Sequence, residues 1–284
     1  MDDKTKQRYE TWKRKRIRQR IVLPLAVLLG VVGLSVVWWL GGFAQQTPSD
    51  DETENAPVAA VTMPDFEPSY RDFDFTVYAS NAIRQVEAAD LTSQVILVNK
   101  VFQLPEAFSP EEMTVPQVLT VGGVNNTTRF LQPEASVALE AMFAAALQED
   151  ELTLWLSTGY LSYEMQVLVH QHFVELVGRE EGEMISARPG HCEHQTGLAV
   201  SVTAASVGGY LIRELSETPE GAWLREHAHR FGFIMRYPDG KEALTGFLYE
   251  PWSLRYVGVE AATYIVENDL VLEQYVLPYT LSRP

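Results

Sequence analysis

One cysteine, Cys192, stands in a chain of 284 residues. No intramolecular disulfide can form, so an exported domain on this chain must be held together by its core. Positive charge is the second scarcity. Of 22 Lys and Arg residues, nine fall within residues 1–20, where only Asp2, Asp3 and Glu10 oppose them. Everything after residue 20 carries 13 basic against 35 acidic residues, a net of −22, and a body of that sign is a poor partner for nucleic acid. No internal repeat is visible. With 46% hydrophobic and 21% charged residues, the chain has room for one medium domain plus an appendage.

The basic arm of residues 1–20 runs directly into IVLPLAVLLGVVGLSVVWWLGGF, 23 residues from Ile21 to Phe43 without a charge. At ~1.5 Å per residue, a helix of this length crosses a hydrocarbon core of ~30 Å. Trp38 and Trp39 lie near its far end, where indoles favour the membrane interface, and the Lys/Arg cluster on the near side keeps the N-terminus cytoplasmic. The expectation is a single-pass plasma-membrane protein whose C-terminal domain is extracytoplasmic. Gly42 and Ala44 form a small-x-small pair that would suit signal-peptide cleavage. The apolar stretch exceeds the usual ~7–15 residues of such peptides, which favours an uncleaved signal-anchor.

Residues 44–92 read as an acidic linker or stalk, with proline and no periodicity at first, and SNAIRQVEAADLT (80–92) allows a short helix. The domain is placed at 93–284. QVILVNK (94–100) reads as a buried strand, and LPEAFSPEEM after it as loop. PEASVALEAMFAAALQED (133–150) spaces Val137, Leu139, Met142, Phe143 and Leu147 for an amphipathic helix. LTLWLS is the next strand, and Ser162 caps a second helix ending near Gly178. Thr218 as cap, Pro219 at the first helical position and Gly232 as stop define a third. Short strands at GLAVSV, FIMRY and LTGFLY complete an α+β fold, helices packed on a small, mostly antiparallel sheet. His170/His172 and His227/His229 are each two apart in helices, share no face, and are surface or packing residues.

The polar clusters are more specific. STGYLSYEMQ (157–166), SARPGHCEHQTGLAVSV (186–202), GFIMRYPDG (232–240) and GFLYEPWSLRYVG (246–258) occur in this order, with LVNK upstream. This set resembles the VanY-type D-alanyl-D-alanine carboxypeptidases, zinc peptidases that remove the terminal D-alanine from peptidoglycan stem peptides. The resemblance spans about Val95 to Tyr275 and implies the fold shared with the Hedgehog signalling domain.

In that family a His, an Asp seven residues later and the His of a Glu-x-x-His element hold the zinc, and the Glu acts as general base on the metal-bound water. The resemblance maps the first ligand to His194 and the general base to Glu250, both retained. The other two ligand positions are Ser201 and Ser253, whose neutral hydroxyls are poor zinc ligands. Leu161 stands where the family's SGYRSY carries an Arg suited to pair with a peptide's terminal carboxylate. The frame otherwise matches: Tyr160, Gln166, Ser186, Arg188 and Trp252 are retained at positions that would line the substrate cleft, and Arg255 is expected in an internal ion pair.

The first reading is therefore a membrane-anchored, catalytically inactive family member without bound zinc, binding a peptidoglycan stem peptide or an envelope protein. The alternative is an active zinc carboxypeptidase with relocated ligands, in which His191, Cys192 and His194 converge and Glu250 ligates. A purely structural spacer would not need four polar motifs at family spacing.

Overall fold

A computed structural model describes residues 84–280 apart from 88–89 and 123–125. The expected transmembrane segment 21–43 and the arm before it lie outside the described residues. Among the described residues, no helix is long and apolar enough to cross a membrane.

Upstream of Ser93 the chain already packs onto the domain. β1 (Arg84–Gln85) pairs in parallel with β2 (Phe102–Gln103), where a short helix was expected, and Val86 is buried in the main core. Residues 94–100 form no strand, contrary to expectation. Ile96, Leu97 and Val98 are buried, but the carbonyls of Gln94 and Ile96 accept from Arg255 Nη2 at 2.9 Å each instead of from a neighbouring strand. A buried apolar run thus satisfies its backbone through a side chain, which periodicity does not reveal.

α1 (Pro133–Asp150) begins with Pro133, whose missing N–H would have had no partner in the first turn, and ends at Glu151 with φ +57. Its inner face buries Ala135, Leu139, Met142, Phe143 and Ala146. Val137 and Leu147, expected on the apolar stripe, are 67% and 55% exposed, because the helix is apolar on more than one side. β3 (Leu154–Thr158) follows, then α2 (Tyr163–Val177), capped by the Ser162 hydroxyl accepting from the Met165 amide at 3.3 Å. α3 (Arg179–Ile185) was not anticipated; it folds back closely enough that a Cβ on Gly182 would sit 3.0 Å from Val174 Cα.

β4 (Ala199–Ala204) is buried along its whole length. α4 (Pro219–His227) has the predicted Thr218 cap and continues as a 3-10 turn to Gly232, at φ +80. β5 (Phe233–Tyr237), α5 (Glu242–Thr245), β6 (Glu250–Tyr256), α6 (Val259–Glu267) and α7 (Leu272–Thr280) complete the chain. The strand expected over 244–249 instead comprises the end of α5 and a turn at Gly246, with φ +77 and the Thr245 hydroxyl accepting from the Phe247 amide. Pairing begins only at Glu250. β3, β4, β6 and β5 form, in that order, one four-stranded antiparallel sheet, which is the α+β architecture expected.

Candidate functional site

A 3-10 turn, Glu193–Thr196, leads into β4 and carries His194. The turn is closed by Thr196, whose hydroxyl donates to the Glu193 carbonyl at 2.6 Å, and by Gly197 at φ +69. His194 Nδ1 lies 2.6 Å from the Gly159 carbonyl oxygen. A carbonyl only accepts, so Nδ1 carries the proton and Nε2 turns its lone pair toward Ser201, whose hydroxyl is 3.4 Å away. Burial lowers the pKa of this imidazole, favouring the neutral form. Gly159 is required here, since a Cβ would approach the Phe130 carbonyl to 2.7 Å.

Ser201 on β4 and Ser253 on β6 are Cα partners across the two strands, so their side chains share one face. Between the Met235–Leu254 and Tyr237–Glu250 pairs, β6 spends two residues more than β5. That bulge contains Pro251 and brings Glu250 round to Ser253, which an unbroken strand would hold on opposite faces. Burial pushes the Glu250 carboxyl up to about 8, opposed by hydrogen bonds from Ser253 and Trp252 and by the charge of Arg213. At neutral pH this carboxyl is chiefly protonated.

The site thus gathers one imidazole, two hydroxyls and a neutral carboxyl. A catalytic zinc needs three imidazole, thiolate or carboxylate ligands, and this donor set does not fit one. Among the described residues, no three His, Cys, Asp or Glu side chains group closely enough to hold a metal ion. The relocated set is not assembled either. His191 is buried with Nδ1 2.6 Å from the Asn99 carbonyl, a different anchor from that of His194. Cys192 is buried and its thiol is pushed up to about 12, chiefly by burial, far from the thiolate a ligand or nucleophile needs.

The remaining expected residues divide between scaffold and surface. Leu161 is buried, and its amide donates to the His194 carbonyl at 3.3 Å. Gln166 Nε2 donates to the Ser186 hydroxyl at 3.2 Å and the Ala187 carbonyl at 2.7 Å, tying α2 to the segment ahead of the turn. Arg188 is half exposed and paired with Glu183 at 2.6 Å. The Tyr160 amide donates to the Phe130 carbonyl, and Trp252 packs on the small cluster of Ala204, Val207 and Leu215. Of the dismissed histidines, His170 Nδ1 sits 3.1 Å from the Ser186 carbonyl and His227 lies edge-on to Trp223.

Beneath the turn is a charged network. Arg236 Nε donates to Glu193 Oε1 at 2.7 Å, while its two terminal nitrogens hold both oxygens of Glu273 at 2.9 and 2.6 Å. Arg255 Nη1 adds an ion pair to Glu193 at 3.0 Å, the internal pair expected for it, and Asn99 Nδ2 donates to Glu273 Oε1 at 3.1 Å. All four charged side chains are at most 2% exposed, and two positive groups balance two negative ones. Glu193 and Arg236 lay inside the quoted motifs; neither Glu273 nor Arg213 had a signal of its own.

A family model described as VanY, D-alanyl-D-alanine carboxypeptidase, matches residues 128–259. The putative carboxypeptidase YodJ of Bacillus subtilis is 33% identical over 249 residues, covering 86% of this chain and 91% of that protein. A solved LD-carboxypeptidase, LdcB, whose structure reveals the molecular basis of peptidoglycan recognition, is 36% identical with a TM-score of 0.65, over 69% of this chain and 90% of that one. A vancomycin-resistance D,D-pentapeptidase VanY variant in complex with Zn(II) is 31% identical with a TM-score of 0.54, over 64% and 98%.

Proposed function

The chain belongs to the VanY family of D-alanyl-D-alanine carboxypeptidases, and from that premise we propose that it binds peptidoglycan stem peptides without hydrolysing them. The observation that carries this reading is the serine pair, Ser201 opposite Ser253, at the positions where the resemblance implies two zinc ligands. With His194 Nε2 facing a hydroxyl, the site has hydrogen-bonding groups for a peptide and lacks the three-ligand set through which a zinc would activate a water. VanYB, a structural neighbour 32% identical, has been solved in complex with D-alanine-D-alanine, and LdcB recognises peptidoglycan; both support a peptide of this class as the ligand. The uncharged run 21–43 behind a basic arm supports a membrane anchor with the domain on the outer face. An envelope protein is the other partner compatible with that location.

Elemental analysis of the purified protein after dialysis against trace zinc, with a D-alanine release assay beside it, tests the proposal. The expected result is no stoichiometric zinc and no release. About one zinc per chain together with D-alanine release would establish an active peptidase instead.

A further inference from the structure

The body after residue 20 is strongly acidic, yet three cations gather about one carboxylate near the end of α3. Glu183 is shared by Arg188, 2.6 Å away, and Arg179, 3.6 Å away, and the charges of Glu183 and Arg188 both act on Lys100. A ring of contacts joins these groups. The Asn99 carbonyl, next to Lys100, accepts from His191 Nδ1 at 2.6 Å, and the His191 amide donates to the Arg188 carbonyl at 2.9 Å. On the other side the Leu248 amide donates to the Met184 carbonyl at 3.4 Å, and the Lys100 ammonium stands 4.8 Å over the ring of Phe247. The lysine stem lies against Gly246, where a Cβ would sit 3.1 Å from Lys100 Cδ. Among the described residues no hydrogen bond or ion pair holds the ammonium itself, so ring and stem alone fix its place. Arg188 gives one terminal nitrogen, Nη2, to Glu183 and is half exposed. Phe247 packs at 5.0 Å on Tyr237, the cross-strand partner of Glu250, so the wall beneath Lys100 runs on toward the candidate site.

We propose that Lys100 and Arg188 form a subsite for a carboxylate carried inside the bound peptide, upstream of its C-terminus. Both cations are tied to the turn through His191, three residues ahead of His194, which sets them back from the serine pair and suits an interior group. Desolvation lowers the pKa of the Lys100 ammonium, Glu183 opposes that, and Arg188 adds to it; an anion bound between the two cations would favour the charged form. The carboxylate would accept from the ammonium and from the N–H groups of Arg188 that Glu183 leaves free. The ligand class is a peptide with an acidic residue in its interior, and one whose interior carboxyl is amidated is disfavoured. This assignment rests on the stem-peptide reading above and adds a second point of contact, which decides which stem peptides are held.

The test is titration calorimetry on the full chain in detergent, with L-Ala-γ-D-Glu-L-Lys-D-Ala-D-Ala and the analogue whose D-glutamyl α-carboxyl is a carboxamide. The two probes share a C-terminus, so recognition of that end cancels. The acid is expected to bind about fivefold more tightly than the amide, the scale of a partly exposed charge pair, and the gap should narrow as salt is added. Lys100→Gln should remove most of that preference and Lys100→Arg should keep it. Arg188→Gln should weaken the acid and leave the amide alone, whereas Glu183→Gln, which releases Arg188 Nη2, should enlarge the preference. Arg230→Gln, paired elsewhere with Glu149, should leave it unchanged. Equal binding of acid and amide by the parent, or a preference that survives intact in Lys100→Gln, overturns the assignment while peptide binding stands. Failure of the parent to bind either probe overturns the stem-peptide reading with it.

Discussion

Replacing Glu250 by glutamine should make the protein more stable, and by an amount that grows with pH. In the folded state burial raises this carboxyl from 4.5 to about 8. The folded form therefore holds its proton over a range in which the unfolded chain has released it, and the protein loses stability as pH rises. Below about pH 4.5 both states are protonated and nothing is lost. Between there and pH 8 the penalty accumulates at about 1.4 kcal/mol per pH unit, and above 8 it is complete. The full shift corresponds to about 5 kcal/mol, and the solvent that Glu250 still meets brings the expected value to about 3 kcal/mol. Glutamine keeps the shape and never ionises. Any loss of hydrogen bonding with Ser253 and Trp252 adds an offset independent of pH. Urea unfolding of both forms, lacking residues 1–44, at pH 5 and pH 8.5 gives the difference directly, because every other titrating group is common to both. A stability difference that stays constant across that range would refute the reasoning, since Glu250 would then titrate as an ordinary carboxylate.

Other outcomes follow from the same geometry. Glu193→Gln leaves Arg236 and Arg255 buried with half their counter-charge and should lower stability by about 3–5 kcal/mol in urea, whereas Glu149→Gln, which breaks the exposed pair with Arg230, should leave the midpoint unmoved. Ser201→Asp with Ser253→His should endow the chain with about one zinc per molecule by elemental analysis, because both positions already face His194's side of the sheet; no uptake would mean that more than ligand identity has been lost. Gly159→Ala must move the Phe130 carbonyl, shifting the anchor of His194, with a cost of about 1–3 kcal/mol in thermal or urea unfolding. Cys192 should resist thiol reagents at pH 8 until the protein is unfolded; fast labelling of the folded protein would contradict its burial.

Local signals located the elements that make their own hydrogen bonds. The Ser162 and Thr218 caps, Pro133 and Pro219 at helix starts, and Gly232 as a stop each act within one turn of the chain, and each lies where the sequence places it. Elements fixed by distant partners were missed. Residues 94–100 look like a strand because they are apolar, yet Arg255, some 160 positions on, decides their backbone. Glu250 was legible as a retained position, but its turn toward Ser253 depends on a register shift between β5 and β6 that no one-dimensional pattern encodes. That Leu161, Ser201 and Ser253 depart from the pattern the resemblance implies was legible without coordinates. What the structure adds is that the Ser201 hydroxyl and His194 Nε2 lie within hydrogen-bonding reach of one another at 3.4 Å.

The charged network beneath the turn separates two boundaries that are easily equated. The family model matches only residues 128–259, yet Glu273, on the last described helix, holds both terminal nitrogens of Arg236, and Asn99 joins the same carboxylate from far upstream. The span of the family model and the span of the buried network are thus drawn to different lengths on this chain. A truncation made at the edge of the family match would strand a guanidinium in the interior and loosen the ground on which His194 stands. Glu273 is thus as necessary to the candidate site as the serines that face one another in it.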